Sequence, residues 1–270
     1  MLKLNNPAGR FQQILERARK EDRGANAAQI WARLLGVAVG ERSQLFYLLG
    51  RVMALPTRLK ELVEREPNID HSVYLRWMPQ IEAALSNQHL NGQFATFMDQ
   101  IDNTTLYGIE ICSDLLSRRC PEQLLDEPEL QALSEEISDL IRAVYQSGLD
   151  IELKEAILEH LYALQLAIKE YPITGSAALR RAFEATLGSV VTSPKPFEKT
   201  QKTPEGKRFW KILGRILLIL SIPATAFQLG ESVIKLLPQL TAVEEETVKM
   251  KTPTAAGCVN PSDGETSSDD

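Results

Sequence analysis

Side chains able to do chemistry are few in this sequence and rarely spaced to cooperate. The histidines are His71, His89 and His160. None has a second histidine four residues away or an HExxH setting, the spacing that puts two metal ligands on one helical face. Glu159 precedes His160 directly, and neighbours in sequence point to different faces of a helix. All three histidines read as structural or surface residues.

Carboxylates cluster more suggestively. Asp99, Asp102, Glu110 and Asp114 contain pairs three and four apart, a spacing used in helical di-metal sites. Such sites also draw on Glu-x-x-His pairs, which these histidines do not supply. Both this set and Glu135, Glu136 and Asp139 therefore read as exposed helix faces, with no metal and no cofactor expected. Cys112 lies in an apolar helix and reads as a small core residue, while Cys120, beside Arg118 and Arg119, is placed for a lowered thiol pKa. Cys258 is not in a C-terminal CaaX position, which removes the case for prenylation. No CxxC pair, GxxxxGK[ST] loop or GxSxG elbow occurs. A non-enzymatic protein is expected.

Two further groups concern binding. Tyr74, Trp77 and Met78, with Arg76, could form a partner surface, although a core contact between helices is the simpler reading. Arg180 and Arg181 are expected to face solvent, or a membrane if their helix docks on one.

The elements that carry these residues are helical. Apolar positions recur three and four apart over the first 190 residues, punctuated by glycine and proline, and strand-like alternation is nearly absent. Asn6 and Pro7 are expected to start a helix running to about Asp22, with Phe11, Ile14, Leu15 and Ala18 on one face. A second carries Ile30, Trp31, Leu34 and Leu35. A third runs from near Glu41 to about Glu66, kinked or restarted at Pro56. Five more are expected over His71 to Leu85, Phe94 to Leu116, Pro128 to Gln146, Ile151 to Tyr171 and Ala177 to Val191. Short connections favour antiparallel neighbours, so the fold class is all-α, a multi-helix bundle or array of helical hairpins over residues 1–191.

Residues 192–208 have the composition of a basic, proline-containing linker. Residues 209–240 form the most apolar stretch, with fifteen consecutive uncharged residues from Ile216 to Gly230. A membrane-crossing helix needs about twenty predominantly apolar residues, so the length is marginal. Its flanks strengthen the case. Phe209 and Trp210 sit where aromatic anchors gather, and Ile212, Leu213, Ile216, Leu217, Leu218, Ile219, Leu220, Ile222 and Phe227 would complete the membrane-anchoring set. Lys207, Arg208, Lys211 and Arg215 would meet lipid headgroups. Seven basic residues and two acidic ones lie between Lys195 and Arg215, against seven acidic residues and two lysines after Thr241. A spanning segment would thus leave the helical domain cytoplasmic and the acidic tail, residues 241–270, on the other side and disordered. A helix lying in the interface, with Pro223 as its bend, and a helix buried in the protein are the alternatives.

The formal charge of −6 argues against nucleic acid as a partner. Three cysteines without a disulfide pattern and a charged N-terminus without a signal-peptide core fit a cytoplasmic domain. The functional expectation is a membrane-anchored helical interaction or sensor protein, with membrane lipid and a protein partner or self-association as contacts. A sharper form is an effector whose apolar segment acts on the membrane. The competing expectation is a scaffold or regulator free of membranes, its C-terminal helix buried in the domain or an oligomer.

Overall fold

In a computed structural model of the chain, the described residues are 4–220 apart from Val39, Gln123 and Gln201. They are all-helical, and the nearest approach to a sheet is one isolated antiparallel bridge between Asn26 and Gln93.

Helix α1 (Pro7–Ala18) begins as the sequence dictates. The Asn6 side chain accepts a hydrogen bond from the Gly9 amide at 2.9 Å, and Pro7 occupies the first turn, where its missing donor costs nothing. Phe11, Ile14, Leu15 and Ala18 are buried. α2 (Ala27–Leu34) is capped by Asn26, and Gly36, at φ +66°, turns the chain after it. α3 (Arg42–Glu64) passes through Pro56 as one helix of 23 residues rather than restarting. The proline ring is buried, so packing holds the helix together across the lost backbone bond.

Two spans expected to be single helices are divided. His71 to Leu85 becomes α4 (His71–Tyr74) and α5 (Met78–Ser86), with Pro79 in the first turn of α5. Phe94 to Leu116 becomes α6 (Ala95–Met98) and α7 (Asn103–Arg119). Here Asp102 takes extended backbone angles and its carboxylate accepts from the Thr105 amide at 2.7 Å. A side chain that caps a new helix replaces the bonds a continuous one would have made.

The remaining elements are α8 (Glu127–Gln146), α9 (Ile151–Thr174), α10 (Ser176–Thr192), α11 (Pro194–Thr200) and α12 (Pro204–Ile219). α8 opens with a capping box between Asp126 and Glu129. The stretch with linker composition contains α11 and the first turn of α12.

Two cores result. One is built from α1 to α7 around Phe11, Trp31, Phe94, Phe97 and Trp77, with the indole of Trp31 meeting Phe94 and Phe97 edge-on. The other is built from α8 to α12 around Leu133, Ile157, Leu161, Phe183, Phe209 and Trp210. α9 links them: it packs on α8 and α10, touches α1 and α3, and sends Ile173 into the first core.

Candidate functional site

Most of the residues assigned to membrane contact by the sequence lie on α12. Thr203 caps α12 by accepting from the Gly206 amide at 3.1 Å, and Pro204 fills the first turn. The chain then folds back on α11 so closely that a Cβ at Gly206 would lie 2.0 Å from the Thr200 carbonyl oxygen. That approach lets the Trp210 indole N–H donate to Thr200 Oγ1 at 2.7 Å inside the core. Phe197, Phe209 and Trp210 pack as a three-ring group, with the His160 ring 5.7 Å from Phe197.

Phe209, Trp210, Ile212, Leu213, Ile216, Leu217 and Leu220 are all buried in this core, and Leu218 and Ile219 are half-buried. The apolar face of α12 thus meets α8, α10 and α11 rather than standing open to lipid. This is the arrangement of a buried protein helix, and its cause is the supply of facing apolar surface from α8 to α11. Ile222 and Phe227 lie outside the described residues, as does the acidic tail. Among the described residues no helix is long and apolar enough to cross a membrane.

The four basic residues separate. Lys207, Arg208 and Lys211 are exposed along the outer face of α12. Arg215 is different, because its Nη1 donates to Glu136 Oε2 of α8 at 3.1 Å and ties the two helices. Arg180 donates to the Leu220 carbonyl at 3.3 Å, satisfying one of the acceptors left at the end of α12.

The acidic set does not converge. Asp99 pairs with Arg23, Asp102 caps α7, and Asp114 pairs with Arg118. Glu135 accepts from Gln131 at 2.9 Å, and Asp139 pairs with Arg142. No group of three or more His, Cys, Asp or Glu able to hold a metal ion occurs among the described residues. His89 is exposed, and His71 Nε2 lies 2.9 Å from the Glu66 carbonyl. His160 is buried, and burial lowers its pKa, opposed by the charge of Glu159.

Trp77 and Met78 belong to the first core, whereas Tyr74 is half-buried and Arg76 exposed. Trp77 lies on Gly108, where a Cβ would come 2.8 Å from the indole Cδ1, and its N–H points at Cys112 Sγ at 3.4 Å. Burial raises the Cys112 thiol to about 11, which marks it as an inert core group. A groove of about 320 Å³ runs along Tyr74, Ile111 and Leu115 to Arg118 and Arg119. Its cations already face carboxylates, Arg118 on Asp114 and Arg119 3.6 Å from Glu66.

The most constrained polar chemistry lies where the two cores meet. Arg10 of α1 is buried and holds Glu122 through both terminal nitrogens, at 2.8 and 3.1 Å. It also donates to the carbonyls of Leu4 and Ile173, each at 3.1 Å. Gly175 lies against this pair with φ +63°; a Cβ there would fall 2.2 Å from Glu122 Oε2 and 2.5 Å from Arg10 Nη1. A second junction joins α3 to α9. The Tyr47 hydroxyl donates to buried Glu170, Arg51 Nη2 donates to the Tyr47 oxygen at 2.8 Å, and Arg51 Nε sits 2.8 Å from Glu170 Oε2 as an ion pair without hydrogen-bond alignment. Burial, then the bond to Glu170, raises the Tyr47 pKa.

Sequence reasoning passed over both junctions, although each left a trace. Arg10 and Glu170 fall among apolar residues that their helices bury, where a charge has to find a partner. The partners come from more than a hundred residues away, beyond the reach of any spacing rule. No protein-family model, curated protein or solved structure matches the chain.

Proposed function

We propose that this chain is a non-enzymatic helical interaction protein that works at an anionic membrane surface. The observation that carries this reading is the outer face of α12, where Lys207, Arg208 and Lys211 are exposed while the apolar face is buried in the protein. This helix leads directly into the remaining apolar stretch, SIPATAFQLG, after Leu220. Attachment is therefore assigned to the basic face of α12 and to residues beyond Leu220, and no longer to Phe209, Trp210 or their buried neighbours. A basic residue near an anionic bilayer contributes about 1 kcal/mol, so three together favour the bound state by about 100-fold.

The test is binding of the full chain to phosphatidylserine vesicles, set beside a K207E/R208E/K211E variant. The variant is expected to bind at least tenfold more weakly at low salt with unchanged helicity. A full chain that fails to bind these vesicles at low salt would overturn the proposal. The burial of the α12 apolar face favours a second reading, a scaffold acting away from membranes, and that result would support it.

A further inference from the structure

α3 packs against several helices and leaves an outer surface exposed, along which one row runs through Arg42, Phe46, Gly50, Met53, Thr57 and Glu61, flanked by the also exposed Ser43, Ala54, Arg58, Lys60 and Glu64. Phe46 is 59% and Met53 42% exposed, large apolar side chains standing among the polar and small residues of this surface. At about 100° per residue the row stays within an arc of about 100°, so these side chains form one continuous face. Its steps are 4, 4, 3, 4 and 4 residues, and they are the same read from either end.

The chemistry is complementary under that reversal. A cation at one end answers an anion at the other, a phenyl ring answers a threonine, and a methionine answers a glycine. We propose that two copies of this chain pair through α3, antiparallel, about a two-fold axis passing between Gly50 and Met53. Arg42 meets Glu61 of the second copy, Phe46 packs on its Thr57, and Met53 enters the open space over its Gly50. A Cβ at Gly50 would have nothing within 4 Å, so the space is there to be filled. A two-fold pair requires that if one residue contacts another, the converse contact also forms, and the mirrored row meets this condition at every position. Within one chain Glu61 accepts from Arg58 at 3.2 Å, which leaves its carboxylate at the surface beside the row.

The row spans 20 residues, about 28 Å of helix, and a single helix pair sits at the small end of specific interfaces. The pairing is accordingly a micromolar association. It is separate from the membrane reading, since α3 belongs to the first core and α12 to the second, and either proposal can fail alone.

The experiment is sedimentation equilibrium of the full chain at about 1 to 200 µM, the range in which such an interface is populated. A monomer–dimer equilibrium is expected. F46S should weaken it at least tenfold, as should R42E or E61R alone by several-fold, with circular dichroism unchanged. The swap R42E/E61R restores opposite charges at both ends and should bring dimerisation back to within about threefold of the natural chain. A chain that stays monomeric across the range overturns the proposal. So does a dimer indifferent to F46S, which would point to a different surface such as the residues after Leu220, and so does a swap no better than its single variants.

Discussion

Replacing Gly175 with alanine is expected to damage the fold severely. Two independent costs act there. Gly175 holds φ +63° and ψ −149°, a region nearly closed to any residue with a Cβ, and occupying it costs about 1–3 kcal/mol. The new methyl would also lie 2.2 Å from Glu122 Oε2 and 2.5 Å from Arg10 Nη1, so the Arg10–Glu122 pair has to separate. Breaking a fully buried ion pair costs about 3–5 kcal/mol, and the 23% exposure of the Glu122 side chain reduces this to about 2–3. The sum is about 3–6 kcal/mol, which lowers the melting temperature of a chain this size by about 10–20 °C. Urea unfolding followed by circular dichroism measures it. Gly188→Ala is the control: Gly188 is exposed inside α10 with open space around it, and alanine there should stabilise by about 0.5–1 kcal/mol. Combining Gly175→Ala with Glu122→Ala should cost clearly less than the two losses added, because the nearest atom met by the new methyl is gone and the ion pair it would separate no longer exists. A Gly175→Ala loss below about 1 kcal/mol, or strict additivity with Glu122→Ala, would refute the argument.

Three other outcomes follow from the second core and from Cys112. Trp210→Ala should destabilise the fold by about 3–5 kcal/mol in urea unfolding, whereas Lys211→Glu should stay within about 0.5, since one is buried and the other faces water. If Trp210 instead served a lipid contact, its loss would leave unfolding in buffer unchanged. Folded His160 has a pKa depressed below 6.5, so as pH falls the unfolded chain takes up a proton first. The stabilising effect of neutral, buried His160 is therefore complete above about pH 6.5 and is lost as pH drops toward and through the folded pKa. A His160→Leu variant should show a flatter stability profile between about pH 7 and 5; an unchanged slope would remove His160 as its source. With its thiol near 11, Cys112 should resist maleimide labelling at about pH 7.5 until the chain unfolds, as peptide mass mapping would show.

Much of the helical layout is legible along the chain because its causes are local. Asn6 with Pro7, Asp126 with Glu129, and Asp150 begin helices through contacts three residues long, and the buried faces of α1 and α8 follow the spacing of their apolar residues. The breaks at Leu75 to Trp77 and at Asp99 to Asp102 were less legible, since amphipathic spacing continues across them while Pro79 and Asp102 enforce a new start.

What the sequence by itself determined is the all-α class, most helix starts and the amphipathic character of α12, including its basic outer face. Only the tertiary structure decided what covers the apolar face of that helix. Membrane and protein interior select the same side chains, because both reward the removal of apolar surface from water. The difference lies in whether α8, α10 and α11 bring matching surface to Phe209, Trp210 and Leu213, and that depends on chain packing across up to 80 residues. The same holds for Arg10 with Glu122 and for Arg51 with Glu170. A charge on an apolar face demands a partner, but the fold alone says which residue arrives to meet it.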